Sequence, residues 1–234
     1  MNTQIRGMNV AVRNAGDAIS MAQVAEGGLS TMNDMLQRMR ELAVQASNAT
    51  NSAGSAGDIA KLDNEYKQLG AELSRMLDAT QFNGEKILNT SASYVFQVGA
   101  NAGAENQITI ANGDISLSGN AAFSAVASGG ASATLITGTA SANTANIAAL
   151  DAAISAVNDR RASLGALQSR FENTISYLRT ASENQSAARG RIMDADFAAE
   201  TANLSRTQIL QQAGTAMIAQ ANQQPQSVLK LLQG

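Results

Sequence analysis

Few side chains of this 234-residue sequence could carry out chemistry on a substrate. It contains no His and no Cys, which removes imidazole bases, Ser-His-Asp triads, thiol nucleophiles, disulfides and zinc–thiolate sites. Asp194 and Asp196 form a carboxylate pair of the kind that serves metal or acid–base chemistry. Two residues apart on a helix, however, their side chains diverge around it. Capping or a polar interface is therefore the better interpretation, and we expect no catalytic residue.

Other small-molecule and nucleic-acid sites are equally poorly supported. Gly27-Gly28 and Gly129-Gly130 lack the spacing and the Lys of a phosphate-binding loop. Met32, Met35 and Met39 read as adaptable packing residues rather than as a ligand set. Sixteen Lys and Arg against 19 Asp and Glu give a net charge of −3, which argues against nucleic acid as a partner. The apolar runs are too short for membrane insertion, and no signal peptide opens the chain. We predict no cofactor and no metal.

Apolar spacing predicts one long helix from residue 1 to about 47. Intervals of three and four residues first join Ile5, Met8, Val12, Ala15, Ile19 and Ala22. The phase slips near Gly27-Gly28 and resumes as Ala25, Leu29, Met32, Leu36, Met39, Ala43 and Ala46. Such a seven-residue repeat makes a seam that packs on other helices, and the slip should disturb the supercoil locally without ending the helix.

A second seamed helix and a β region follow. Small residues at 51–57 form a connector, Asp58 is a plausible N-cap, and a seam from Ile59 to Met76 predicts a helix to about Ala79. The short connector favours an antiparallel helical hairpin. Asn83-Gly84 is a strong turn signal, and short strands are predicted at 94–98 and 107–110 with a turn at 99–103. Residues 111–143, rich in Gly, Ser, Ala and Thr, are either a small β-rich insertion or a mobile surface loop.

Helical seaming returns from Ile147 to Leu178, and a last helical segment covers about 183–232. Helices of this length cannot be wrapped into a sphere, so we expect a rod. The last segment carries Ile209, Leu210, Met217 and Ile218 among many Ala, Gln, Asn and Ser residues, and ends on apolar Val228, Leu229, Leu231 and Leu232. The segment has no large apolar cluster of its own to bury these side chains. We therefore expect its helix to be only marginally stable alone and to be stabilised by a partner.

Several motifs together resemble bacterial flagellin. They are Thr3-Gln-Ile-Arg-Gly-Met8, Leu36-Gln-Arg-Met-Arg-Glu-Leu-Ala-Val-Gln45, Thr80-Gln-Phe-Asn-Gly84, Phe96-Gln-Val-Gly-Ala100, Gln208-Ile-Leu-Gln-Gln-Ala213, Ala216-Met-Ile-Ala-Gln-Ala-Asn-Gln-Gln-Pro225 and Ser227-Val-Leu-Lys-Leu-Leu232. The resemblance spans both ends and nearly everything except about 111–143. Matches this long, in the same order, are highly specific.

The resemblance implies a mainly α fold, an elongated rod of long coiled-coil-like helices with a small β-hairpin or β-rich insertion. It implies four parts: 1–110 as the N-terminal part of the rod with its hairpin at about 82–110, and 111–143 as a short variable outer insertion. Residues 144–182 would be the C-terminal helix of the rod, and 183–234 the segment that leads into the filament-core helix. The implied function is that of a non-enzymatic, extracellular subunit that polymerises into the flagellar filament for swimming motility.

The resemblance also implies sites and partners. Arg38, Leu42 and Glu65 match a patch read by the host Toll-like flagellin receptor, which is also an assembly contact, and Arg38 and Leu42 share a helix face by their spacing. Other subunits or the export chaperone would contact the C-terminal apolar side chains, namely Ile209, Leu210, Met217, Ile218, Val228, Leu229, Leu231 and Leu232. The filament cap and hook-junction proteins are further implied partners.

One departure and two alternatives accompany the resemblance. Flagellins open with an additional N-terminal arm that does not precede Met1, so we expect an N-terminally truncated chain. A hook–filament junction protein shares the terminal helices, but the Gln-Gln-Pro terminus and the 80–84 motif favour filament. A flagellin-like surface protein that binds polysaccharide through 111–143 is the other alternative, and only Phe123 offers an aromatic ring there.

Overall fold

The first helix, α1, spans Asn2–Ala46 and confirms the predicted element. The structure is a computed structural model that describes residues 1–48, 51, 57–127, 140–194 and 196–232, without the side chains of 140–142 and 223–232. All seven seam residues from Ala25 to Ala46 are buried, whereas Ile5, Val12 and Ile19 of the first half are only half-buried. Ala11, Ala18, Met21 and Leu42 are also buried, so the apolar stripe of α1 is wider than the predicted seam.

Helix α2 spans Asp58–Ala79 and runs antiparallel to α1, as the short connector predicted. Arg38 of α1 faces Glu65 in the middle of α2. Gly28, nearer the start of α1, faces Thr80, which follows the last residue of α2. The predicted N-cap at Asp58 is wrong. Gly57 occupies that position in an extended conformation, and Asp58 lies in the first turn, 3.6 Å from the Lys61 ammonium. A carboxylate there still interacts favourably with the helix dipole.

Two antiparallel hairpins follow α2. Strands β1 (Gln81–Phe82) and β2 (Glu85–Lys86) flank Asn83 and Gly84, whose φ values of 52° and 85° suit the tight turn that the Asn-Gly pair predicted. Strands β3 (Tyr94–Gln97) and β4 (Gln107–Ile110) pair from Tyr94↔Ile110 to Gln97↔Gln107, with a 3₁₀ turn at Ala104–Asn106 between them. Ile108 and Ile110 alternate with exposed residues and enter the core, which confirms the predicted strands.

Residues 112–127 match neither alternative that the sequence left open for 111–143. They form two short helices, α3 (Asn112–Ile115) and α4 (Ala121–Ala127), and residues 128–139 lie outside the described part of the chain. Ile115, Leu117, Phe123 and Val126 are buried in the main core. The Ser74 hydroxyl donates to the Ala127 carbonyl, and Arg160 Nε donates to the Ser116 carbonyl oxygen at 3.1 Å. A few apolar side chains and these bonds thus order a segment whose composition resembles a loop.

Two long helices complete the chain, α5 (Ala140–Met193) and α6 (Phe197–Leu232). The predicted seam of α5 is buried at Leu150, Val157, Leu164, Phe171 and Leu178. The Phe171 ring meets the Phe96 ring of β3 edge-on, with centroids 5.8 Å apart. The chain divides into two compact units, Met1–Gln185 and Ser186–Gly234. The first contains α1 to α4, the strands and most of α5, and the second contains the end of α5 and all of α6.

Candidate interaction surfaces

Arg38 forms the centre of a charged surface on α1 and α2. Its Nε donates to Glu65 Oε1 at 2.9 Å, and its second guanidinium nitrogen donates to Glu41 Oε2 at 3.0 Å. The hydrogen bond to Glu65, and then the one to Glu41, raises the pKa of Arg38. All three side chains remain about half exposed or more, so the network is available to a binding partner.

Leu42 does not belong to that surface, although the sequence placed it on one face with Arg38. Its side chain is 0% exposed and packs in the main core with Met39, Ala43 and Ala46. The reason is that α1 is covered on two sides. Arg38 pairs with α2, while Arg40 Nε donates to Asp151 Oδ1 of α5 at 2.6 Å. The seven-residue pattern identifies only the face of α1 that packs on one partner helix. It does not identify a second buried face, on which Leu42 lies.

Ion pairs between α1 and α5 are functional-surface features that the sequence analysis missed. Besides Arg40 and Asp151, the Arg161 guanidinium lies 2.7 Å from Glu26 Oε1. The partners are 111 and 135 residues apart in the chain, so no local pattern signals them. Both pairs are partly exposed, so each contributes only weakly to the packing of α5 on α1.

Helix α6 exposes the apolar side chains that the sequence proposed as contacts. Ile209, Leu210, Met217 and Ile218 are between 63% and 68% exposed. Leu210 and Met217 are seven residues apart, which places them within about 20° of each other around the helix. Ile192, Met193, Phe197 and Leu204 extend the exposed apolar set toward the start of the unit. The side chains of Val228, Leu229, Leu231 and Leu232, predicted to act with them, lie outside the described residues.

Asp194 and Asp196 do not share a helix, contrary to the spacing argument, because α5 ends at Met193 and α6 begins at Phe197. Asp196 Oδ1 accepts hydrogen bonds from the backbone N–H groups of Ala198 at 3.0 Å and Ala199 at 3.2 Å. Asp196 therefore caps α6, which agrees with the capping interpretation. The carboxylate also carries negative charge at the positive end of the helix dipole.

An open groove of about 930 Å³ lies in the first unit between β4, α5 and the start of α1. Amide, hydroxyl and charged side chains line it together with apolar ones, and Gln185 Nε2 donates to Gln4 Oε1 at 2.6 Å across it. Glu105 and Arg170 also line the groove, and Tyr177, at 71% exposure, lies beside them. No local sequence pattern signals this groove, because its walls come from residues up to 181 positions apart.

Within the described ranges, no three His, Cys, Asp or Glu side chains are grouped closely enough to hold a metal ion. None of the helices in the part of the chain that the structure covers is long and apolar enough to cross a bilayer. Two surfaces are suited to contacts with other proteins. One is the Arg38 network, and the other is the apolar stripe of α6, which we define as Leu210 and Met217 flanked by Ile209 and Ile218.

Family models match both halves of the chain. The bacterial flagellin N-terminal helical region matches residues 1–93, and the bacterial flagellin C-terminal helical region matches residues 147–232. Between them they cover α1, α2 and the first hairpin, then α5 and α6. The matched residues therefore include both the Arg38 network and the exposed stripe of α6.

Whole-chain relatives and a solved structure agree with the family models. A flagellin of Halalkalibacterium halodurans is 47% identical over 99% of this chain and 81% of its own length. A flagellin of Bacillus subtilis is 39% identical over 99% of this chain and 83% of its own. The crystal structure of Bacillus cereus flagellin superposes with a TM-score of 0.57 at 28% identity, over 76% of this chain and 94% of that one.

Proposed function

This chain belongs to the bacterial flagellin family, structural proteins that polymerise into the extracellular flagellar filament, and from that premise we propose that the apolar stripe of α6 is its principal subunit contact. The chain is accordingly a structural protein and not an enzyme. The observation that carries the proposal is the exposure of Ile209, Leu210, Met217 and Ile218.

The physical argument rests on the cost of leaving these side chains in water. Burying a Leu, Ile or Met side chain contributes about 1.5–3 kcal/mol each, and α6 leaves four such residues within two to three turns more than half exposed. Large exposed apolar patches on soluble proteins mark interaction sites. A second copy of α6, or a helix of another subunit with the same spacing, would bury Leu210 and Met217, while Ile209 and Ile218 flank this pair at about 90° on either side.

Other partners follow from the same surface. Before secretion, the export chaperone would cover the stripe and the terminal Val228, Leu229, Leu231 and Leu232. The filament cap and hook-junction proteins would bind subunits at the two ends of the polymer. Each of these partners is part of the proposal, and each competes with self-assembly for α6.

The experiment measures assembly of the purified chain on sonicated filament fragments by sedimentation and electron microscopy. We expect the double variant Leu210→Gln/Met217→Gln to abolish sedimentation, because it places two polar side chains in the stripe. The matched control is Gln208→Ala, about 160° around the helix from Leu210, which should assemble like the unmodified chain. Assembly of the double variant at the unmodified level would overturn the proposal.

The Arg38 network carries the second part of the proposed function, recognition by the host Toll-like flagellin receptor. Its support is that Arg38 and Glu65 come together from two helices and stay about half exposed. A planar guanidinium held by two carboxylates presents a fixed set of hydrogen-bonding groups to a partner. Leu42 supports the surface from the core and does not contact the receptor.

A receptor reporter assay tests this part. We expect Arg38→Ala to weaken activation about tenfold or more, which is the scale of a lost charged contact. Arg75→Ala is the control, because Arg75 is a somewhat more exposed arginine of α2 that is paired with Glu72. Equal activation by both variants and the unmodified chain would count against recognition at Arg38.

A further inference from the structure

The nine methionines of the chain occupy contrasting environments. Met21, Met32 and Met39 of α1 are at most 2% exposed in the main core. Met193 and Met217, in the unit Ser186–Gly234, are 71% and 68% exposed. Some methionines of this chain are therefore shielded from solvent, whereas others are largely accessible to dissolved oxidants.

Exposure decides how readily a methionine is oxidised. Peroxides transfer one oxygen atom to the thioether sulfur, which loses two electrons, and hydrogen peroxide leaves as water. This reaction needs no base, metal or thiolate from the protein, so it is open to a chain without Cys or His. Two thiols of a sulfoxide reductase reverse it, forming a disulfide and water and restoring the thioether.

Met217 lies within the apolar stripe of α6, in register with Leu210 and next to Ile218. A flexible thioether suits such a contact, because it adapts to the shape of its partner. Its sulfoxide is polar and chiral, and its oxygen would be buried without a donor when the stripe is covered. Met193 is the last residue of α5, four residues before Phe197 begins α6, and its side chain is as exposed as that of Met217.

We propose that Met193 and Met217 are sites of reversible oxidation by peroxides, and that the sulfoxide of Met217 prevents the α6 stripe from packing against another subunit. The second half rests on the proposed function. The modification acts on unassembled subunits, because a partner that covers the stripe also covers the sulfur. Oxidation of Met217 thus withholds free subunits from assembly.

The first arm of the experiment treats the purified full chain with hydrogen peroxide and follows each methionine by peptide mass spectrometry. We expect Met193 and Met217 to oxidise about tenfold or more faster than Met21, Met32 and Met39, as thioether exposure requires. Circular dichroism checks that the chain stays folded during treatment. Equal rates at exposed and buried positions in the folded chain would overturn the assignment of the two sites.

The second arm compares sedimentation on filament fragments before and after oxidation. Oxidised wild-type chain should need about tenfold more protein to assemble, since a polar atom enters an apolar contact. The variant Met193→Leu/Met217→Leu should assemble to the same extent before and after the treatment, whatever its untreated level, whereas the control Met32→Leu should lose assembly on oxidation like wild type.

The outcomes separate this inference from the proposed function. If untreated Leu210→Gln/Met217→Gln fails to assemble but oxidised wild type assembles normally, the oxidation switch is wrong and the α6 contact stands. If oxidation blocks Met193→Leu/Met217→Leu as fully as wild type, other residues are responsible and the assignment falls. If untreated Leu210→Gln/Met217→Gln assembles normally, the α6 contact falls, and with it the effect of oxidation on assembly.

Discussion

In the unit Met1–Gln185, Phe171 of α5 is fully buried against Phe96, whereas in the unit Ser186–Gly234, Leu210 of α6 is 65% exposed. Both side chains occur in long helices with apolar residues at three- and four-residue intervals. In the first unit, helices and strands of the same chain cover the apolar face. The difference teaches that this spacing specifies a helix with an apolar face. It does not specify whether the surface that packs on this face belongs to the same molecule.

Truncating a core ring should produce the largest effect. Phe171→Ala removes a fully buried ring and leaves a cavity, so we expect it to lower the free energy of unfolding of the first unit by about 3–5 kcal/mol. Leu210→Ala removes an exposed side chain of α6 and should change the stability of the isolated chain by less than about 0.5 kcal/mol. Urea titrations followed by circular dichroism measure both changes in the free energy of unfolding. Equal changes in the two variants would contradict the contrast between the two units.

Alkaline pH should act selectively on the first unit. Burial, and then the negative charge of Asp63, raises the pKa of Tyr66 from 10.0 to about 12. Between these values the unfolded chain loses the phenolic proton while the native state keeps it, so stability is present below pH 10 and falls as the pH rises. The expected loss is roughly 2–3 kcal/mol.

Urea titrations at several pH values test this slope. Tyr66→Phe should flatten it, whereas the control Tyr177→Phe, which changes an exposed ring, should leave it in place. An unchanged slope in Tyr66→Phe would assign the alkaline sensitivity to other groups.

Adding a methyl group at two helical glycines should give effects of opposite sign. A Cβ at Gly28 of α1 would lie 2.8 Å from Thr80 Oγ1, a hydroxyl already held by the Met76 carbonyl, so Gly28→Ala should cost about 1–3 kcal/mol. A Cβ at Gly214 of α6 meets nothing within 4 Å, so Gly214→Ala should stabilise that helix by about 0.5–1 kcal/mol. Thermal melts of the two variants measure the change in melting temperature relative to the unmodified chain. A change of the same sign in both variants would contradict the prediction.

Removal of the α6 cap should give the smallest effect. Asp196→Ala leaves the N–H groups of Ala198 and Ala199 without their acceptor and should weaken the first turn by about 1 kcal/mol. Amide hydrogen exchange at those two residues should become faster, while exchange in 147–178 stays slow. Asp194→Ala is the control and should leave the turn protected.

The sequence predicted elements better than it predicted their surroundings. The long helices and the β3–β4 hairpin could be predicted, because each has a periodic apolar pattern within its own residues. Helices α3 and α4 could not be predicted in this way, since four and seven residues are too few to show a helical period, and Ile115, Phe123 and Val126 enter a core formed by distant residues.

The candidate surfaces divide in the same way. Exposure of Ile209 and Leu210 followed from the lack of a local covering cluster. The burial of Leu42 and the pairing of Glu26 with Arg161 depend on a helix more than a hundred residues away, which a one-dimensional pattern does not encode. The capping interpretation agrees with the position of Asp196, but the end of α5 at Met193 was not predicted.

The bond between Gln4 and Gln185 has a consequence for when folding can begin. It brings together the two extremities of the first unit, 181 positions apart, and α1 obtains its second covering wall only from α5. Closing a chain segment of this length costs more conformational entropy than closing the short connector between α1 and α2, so we expect the contacts between α1 and α5 to form late. Completion of the first unit therefore waits until almost all of Met1–Gln185 has been synthesised, whereas the α1–α2 hairpin can form earlier.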